Sequence, residues 1–105
     1  MRFDSEYDFR TKVWVHASEK GTWYLVTLPK KQASLIKTNT PKTNKRGWGS
    51  IPVVASIGKT TWGTSIFPSK KDESYVMLLK ADVREKEGIK KGSMVHITLT
   101  ITVDL

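Results

Sequence analysis

The sequence predicts a mainly β fold: a small closed or nearly closed barrel of about six to seven strands, capped by two short helices. Three observations carry that expectation. Residues 94–103 alternate strictly, with Val95, Ile97, Leu99, Ile101 and Val103 on one side and His96, Thr98, Thr100 and Thr102 on the other. Residues 51–67 hold two apolar runs of strand length around Gly58-Lys59, a pair that suits a two-residue type II′ hairpin loop. The helical stretches after Pro29 and Asp82 are too short to stand alone and read as caps.

Length and composition narrow the field. The chain has 105 residues, which is one domain, residues 1–105, with a modest core in which large aromatic side chains matter. There is no cysteine, so disulfide and thiolate chemistry are excluded and a cytoplasmic location is expected. The first residues, Met1 to Glu6, lack an apolar signal region, and no run of about 18 apolar residues marks a membrane span.

Taken in order, residues 1–8 are polar and acidic and read as a loose lead-in. Residues 9–16 alternate, with Phe9, Thr11, Val13 and Val15 opposite Arg10, Lys12, Trp14 and His16. A turn ending at Gly21 leads to a second strand, 22–28, rich in Trp, Tyr, Val and Thr. Pro29 suits the first position of a short helix, where its missing N–H costs nothing. Ala33, Ile36 and Leu35 are that helix's candidate core residues, and Thr38 to Lys45 reads as a polar loop. The hairpin follows, with Trp48, Trp62 and Phe67 as its large apolar anchors. After a charged turn, residues 75–80 form another strand. Asp82 and Glu85 then suit a capping box for a helix over 83–87 that stops at Gly88. A weak internal echo runs through the chain. Strand, short helix and a basic Gly-Ser lead into the next strand occur twice, at 23–51 and at 75–94. Either a duplicated unit or repeated turn chemistry explains it.

The formal charge is +8, and its placement matters more than its size. Between Glu19 and Asp72 lie ten cations and no acid. A basic middle of this kind attracts nucleic acid or another polyanion, or it serves solubility alone. The Thr38–Ser50 loop is the best site candidate, with Lys42, Lys45 and Arg46 beside Trp48; Lys59 at the hairpin turn adds a further cation. An exposed Trp48 would stack a base while its neighbours hold phosphate. A buried Trp48 would plug the core, the reading favoured by the barrel's need for large side chains.

No catalytic constellation emerges. His16 and His96 both fall on the polar faces of strands, without the three or four clustered ligands of a zinc site. Gly47-Trp48-Gly49 is no phosphate-binding loop, since no Gly-Lys-Ser/Thr follows. No cofactor, metal or enzymatic activity is therefore expected.

Four motifs in order carry a family resemblance: Gly21 to Pro29, Arg46 to Ile51, Ile57 to Pro68, and Tyr75 through Val95. Together, over roughly residues 8–101, they resemble a bacterial family classified only as a domain of unknown function. In other proteins that domain is often fused to a YdeI/OmpD-associated domain. The resemblance implies a double-split β-barrel, similar in architecture to the AbrB and MazE barrels. Residues 83–95 look like the AbrB helix-turn-strand signature, with Ser93 where an acid is usual. AbrB-type barrels are built from two chains, each about half as long. This chain is long enough to supply both halves, so a monomer is expected. The family brings no established activity. The expected function is a small binding module for nucleic acid or another anion; a small-molecule-binding or enzymatic barrel with an unrecognised pocket is the alternative.

Overall fold

The computed structural model describes residues 2–104, and the side chains of all of these except Thr43, Trp48 and Asp104. The chain runs β1 (Arg2–Lys12), β2 (Trp14–Ser18), β3 (Gly21–Thr27) and α1 (Lys30–Asn39). Two single 3₁₀ turns follow, Lys42–Asn44 and Gly47–Gly49, then β4 (Ile51–Ile57), β5 (Thr60–Ser69), β6 (Ser74–Leu78), α2 (Ala81–Glu87) and β7 (Met94–Asp104). All strand pairs are antiparallel, in the order β1-β7-β4-β5-β6-β3-β2.

The sheet is barrel-like but not closed. Its outermost strands, β1 and β2, are consecutive in the chain and part at Val13. There the backbone leaves β7: Val13 N–H donates to Ser93 O at 2.8 Å, and Gly92 N–H donates to Val13 O at 2.9 Å. Across the seam, Thr11 Oγ1 donates to Thr27 O at 2.8 Å. A second crossing lies in β5, which pairs with β4 up to Ile66 and with β6 from Phe67 onward. The sheet therefore has two halves with the core between them. Exchanging β1/β2 with β5, β3 with β6 and β4 with β7 returns the same neighbours. That pseudo-two-fold order is the structural counterpart of the sequence echo.

The inner row of β7 is as expected. Val95, Ile97, Leu99, Ile101 and Val103 are buried, while Thr98 and Thr100 lie on the outer face. Leu99 sits between Tyr7 of β1 and Ala55 of β4. The β4–β5 loop is Gly58-Lys59, with Ile57 opposite Thr60. Gly58 has φ of +56° and Lys59 does not share it, as a type II′ turn requires.

Several expectations need correction. Residues 2–8 are not a loose lead-in but more than half of β1, paired with the C-terminal part of β7. Their period-2 pattern is hidden because Asp4, Glu6 and Asp8 fill the outer positions of an edge strand, where charge discourages further strand pairing. Thr102 Oγ1 donates to Asp4 Oδ1 at 2.8 Å, and His96 pairs with Asp8. Pro29 stands just before α1 rather than at its first position, and the helix runs on through Thr38 and Asn39. Ala33 and Ile36 are buried, but Leu35 is exposed. Asp82 does not cap α2; Lys80 occupies that position with no side-chain cap, leaving Asp82 in the first turn. Gly88 does end α2, at φ 63°, and Ile89 N–H bonds back to Arg84 O at 2.9 Å. Trp62 packs against the core, but Phe67 does not; it is 42% exposed on the outer face.

Candidate nucleic-acid interface

Eight of the ten cations in the acid-free interval fall on three neighbouring pieces of chain. Lys30, Lys31 and Lys37 are on α1, Lys42, Lys45 and Arg46 on the connection after it, and Lys70 and Lys71 in the β5–β6 turn. Hydrogen bonds at the α1 junction draw the helix against that turn. Ser74 Oγ donates to Leu28 O at 2.6 Å, and Leu28 N–H donates to Tyr75 O at 2.9 Å. Between α1 and the turn lies a groove of about 580 Å³, lined by Lys30, Ser34, Lys37, Lys70, Glu73 and Tyr75 among others. Lys30, Ser34 and Lys37 follow the spacing of one helix face. Burial raises the pKa of the Tyr75 phenol above its ordinary value.

The residues expected at the site are only partly brought together. Lys42, Lys45 and Arg46 share the α1–β4 connection, held by Arg46 N–H donating to Ser50 O at 2.7 Å. Arg46 also lines a smaller hollow of about 290 Å³ on the outer face of β4 and β7, near Arg2, Pro52 and Thr102. Asn44 Nδ2 donates to Thr102 O at 2.6 Å and anchors the connection there. Lys59 is not part of this group. It sits at the far end of β4, a seven-residue strand spanning about 20 Å. The alternatives for the Trp48 side chain, plug or stacking platform, lie outside the described residues.

Sequence reasoning missed an aromatic surface. The outer face of β2, β3, β6 and the end of β5 carries three cross-strand rows: His16–Trp23, Trp14–Leu25–Leu78, and Thr27–Val76–Phe67. Trp14 is 39% exposed, Trp23 48% and Leu78 40%. His16 stacks on Trp23 with ring centroids 5.9 Å apart and planes 16° from parallel. Trp14 Nε1 donates to Thr27 Oγ1 at 2.9 Å, which fixes the indole across the strands. Large exposed apolar patches are the kind of surface that partners cover. The signal was present, since Trp14 alternates with Arg10, Lys12 and His16 rather than with Phe9 and Val13. Lys70 of the groove is three residues beyond Phe67 of this face, at most about 11 Å along the chain.

Among the described residues no three His, Asp or Glu side chains gather to hold a metal, and no helix is long and apolar enough to cross a membrane. Fold and surface together define a small antiparallel β domain, open at one seam, with an aromatic sheet face beside a lysine-lined groove. The chain belongs to the family described as domain of unknown function DUF1905, whose model matches residues 9–99, from the middle of β1 into β7. A search of curated proteins finds no match to it.

Proposed function

We propose that this domain is a binding module for single-stranded nucleic acid, with little sequence preference. One observation carries the reading: an exposed aromatic face on β2–β3–β6 reaches Phe67, three residues before Lys70 of the groove lined by Lys30, Lys37 and Lys70. Single strands are bound in this way, with cations tracking the phosphates and aromatic rings stacking on bases. Trp14, Trp23 and Phe67 take the stacking role, and the cations of α1 and the β5–β6 turn take the phosphates. Lys42, Lys45 and Arg46 extend the positive side along the connection. Lys59, at the other end of β4, contributes little. Sequence preference is low because no helix presents a base-reading face.

The pseudo-two-fold strand order supports kinship with AbrB-type barrels, and one chain here supplies both halves. We read the domain as a monomer for that reason, and as a bacterial cytoplasmic binding module rather than an enzyme. The test is a titration of labelled oligonucleotides with three proteins: wild type, Lys30→Glu/Lys70→Glu and Trp14→Ala/Trp23→Ala. Both variants should weaken binding about tenfold or more, but only the lysine variant should flatten the salt dependence. Equal binding by all three proteins would refute the reading.

A further inference from the structure

We infer that the groove between α1 and the β5–β6 turn is a receptor for a phosphate monoester, with the Tyr75 hydroxyl as one of its donors. The inference rests on the polyanion reading for its charge and adds a defined ligand end. Tyr75 is the unusual residue. It is 6% exposed and lines the groove, yet no group among the described residues hydrogen-bonds its hydroxyl. The sealed polar atoms without a partner among the described residues are Thr40 Oγ1 and Trp62 Nε1, so the Tyr75 hydroxyl is instead open to the groove that it lines. Its backbone is fixed, because its own carbonyl accepts from Leu28 N–H and the adjacent Ser74 Oγ donates to Leu28 O. The ring is thus carried on a fixed strand, with its hydroxyl free to meet a ligand in the groove.

What surrounds it favours an anion. Lys30, Lys37 and Lys70 line the same groove, and Ser34 and Ser69 add hydroxyls. Helix α1 starts at Lys30 with no side-chain cap and no acid in its first turn, so its positive end is left uncompensated. One carboxylate opposes the others: Glu73 lines the groove, with φ of 50°. Asp72, beside it, accepts from Ser69 Oγ at 2.9 Å. Three ammonium groups against one lining carboxylate leave a surplus suited to the two negative charges of a monoester. The volume of about 580 Å³ falls within the roughly 300–1,000 Å³ of small-ligand pockets, so the groove holds more than phosphate alone.

Two sources present this chemistry: a free phosphorylated metabolite and the 5′-phosphate end of an oligonucleotide. Calorimetry on the whole chain separates them, using adenosine 5′-monophosphate, glycerol 3-phosphate and one oligothymidylate with either a 5′-phosphate or a 5′-hydroxyl. The 5′-phosphate should tighten oligonucleotide binding at least fivefold if strand ends are the source, or both small esters should bind if metabolites are. In either case Tyr75→Phe should weaken the monoester about tenfold, the loss of one hydrogen bond to a charged group. Glu73→Gln should strengthen it. The inference is overturned if neither a 5′-phosphate nor a small ester registers, or if Tyr75→Phe binds them as wild type does. Oligonucleotide binding that persists without any 5′-phosphate effect sinks the groove receptor and leaves the strand-binding reading intact. Ester binding without oligonucleotide binding does the reverse.

Discussion

Replacing Leu99 by alanine tests the packing of the sheet most sharply. Leu99 is fully buried in β7, which has neighbours on both sides, with Tyr7 opposite it on β1 and Ala55 opposite it on β4. Leu→Ala in a core costs about 2–5 kcal/mol, and more where the surroundings cannot collapse. Here the strands on both sides are held by their ladders, and Ala55 is too small to fill the space. The expected loss is therefore about 3 kcal/mol or more. At about 4 °C per kcal/mol for a domain of this size, the melting midpoint should fall by about 12 °C. Thr100→Ala, one residue on and facing outward, should cost under about 1 kcal/mol. Thermal and urea unfolding of the two variants measure this directly. Equal losses, or a Leu99→Ala midpoint unchanged from wild type, would refute the assigned inner and outer faces of β7.

Other expectations follow from particular contacts. At Gly58 an added Cβ would meet Glu87 Oε1 at 2.1 Å, and Glu87 Oε2 accepts from Thr60 Oγ1 at 2.6 Å. Gly58→Ala should cost about 1–2 kcal/mol by chemical denaturation, and Glu87→Ala beneath it should recover only part, because the φ strain remains. Burial raises the pKa of Tyr75 above its ordinary value near 10. The folded state therefore holds that proton longer than the unfolded chain does. Stability from this source is complete below about pH 10 and is lost as pH rises through the folded value, so the wild type should lose the extra stability above pH 10 that Tyr75→Phe lacks. Sedimentation should show a folded monomer on dilution; an obligate intertwined dimer would overturn the self-contained two-half fold.

Much of the fold was legible because the relevant signals are local. The alternation of residues 94–103 fixes the faces of β7, and Gly58-Lys59 fixes the hairpin register. Gly88 ends α2 because its φ of 63° suits glycine. The pairing of residues 2–8 with β7 was not legible, because it depends on partners ninety or more positions away and its outer row is charged. Phe67, expected as an apolar anchor of the hairpin, is exposed. Alternation along β5 puts Ile66 inside and Phe67 outside, where it faces Val76 of β6 after the strand changes partner. At the site, charge placement in the sequence singled out Lys42, Lys45, Arg46 and Lys59, and the structure adds a groove lined by other cations of the same interval. Lys30, Lys37 and Lys70 meet only because the Leu28 hydrogen bonds bring α1 to the β5–β6 turn. The apolar outer face of β2, β3 and β6 is a property of the assembled sheet and of no single strand.

The measurement that bears most directly on strand binding is the affinity of the wild-type protein for an oligothymidylate across a salt series, with a duplex of equal length alongside. The three groove lysines alone, at about −0.7 each, predict a slope of log affinity against log salt of about −2 or steeper for the single strand. Stacking on Trp14 and Trp23 should quench the intrinsic fluorescence and make the single strand the tighter ligand. Binding that ignores salt, a duplex bound as tightly as the single strand, or no binding at low salt would contradict the account.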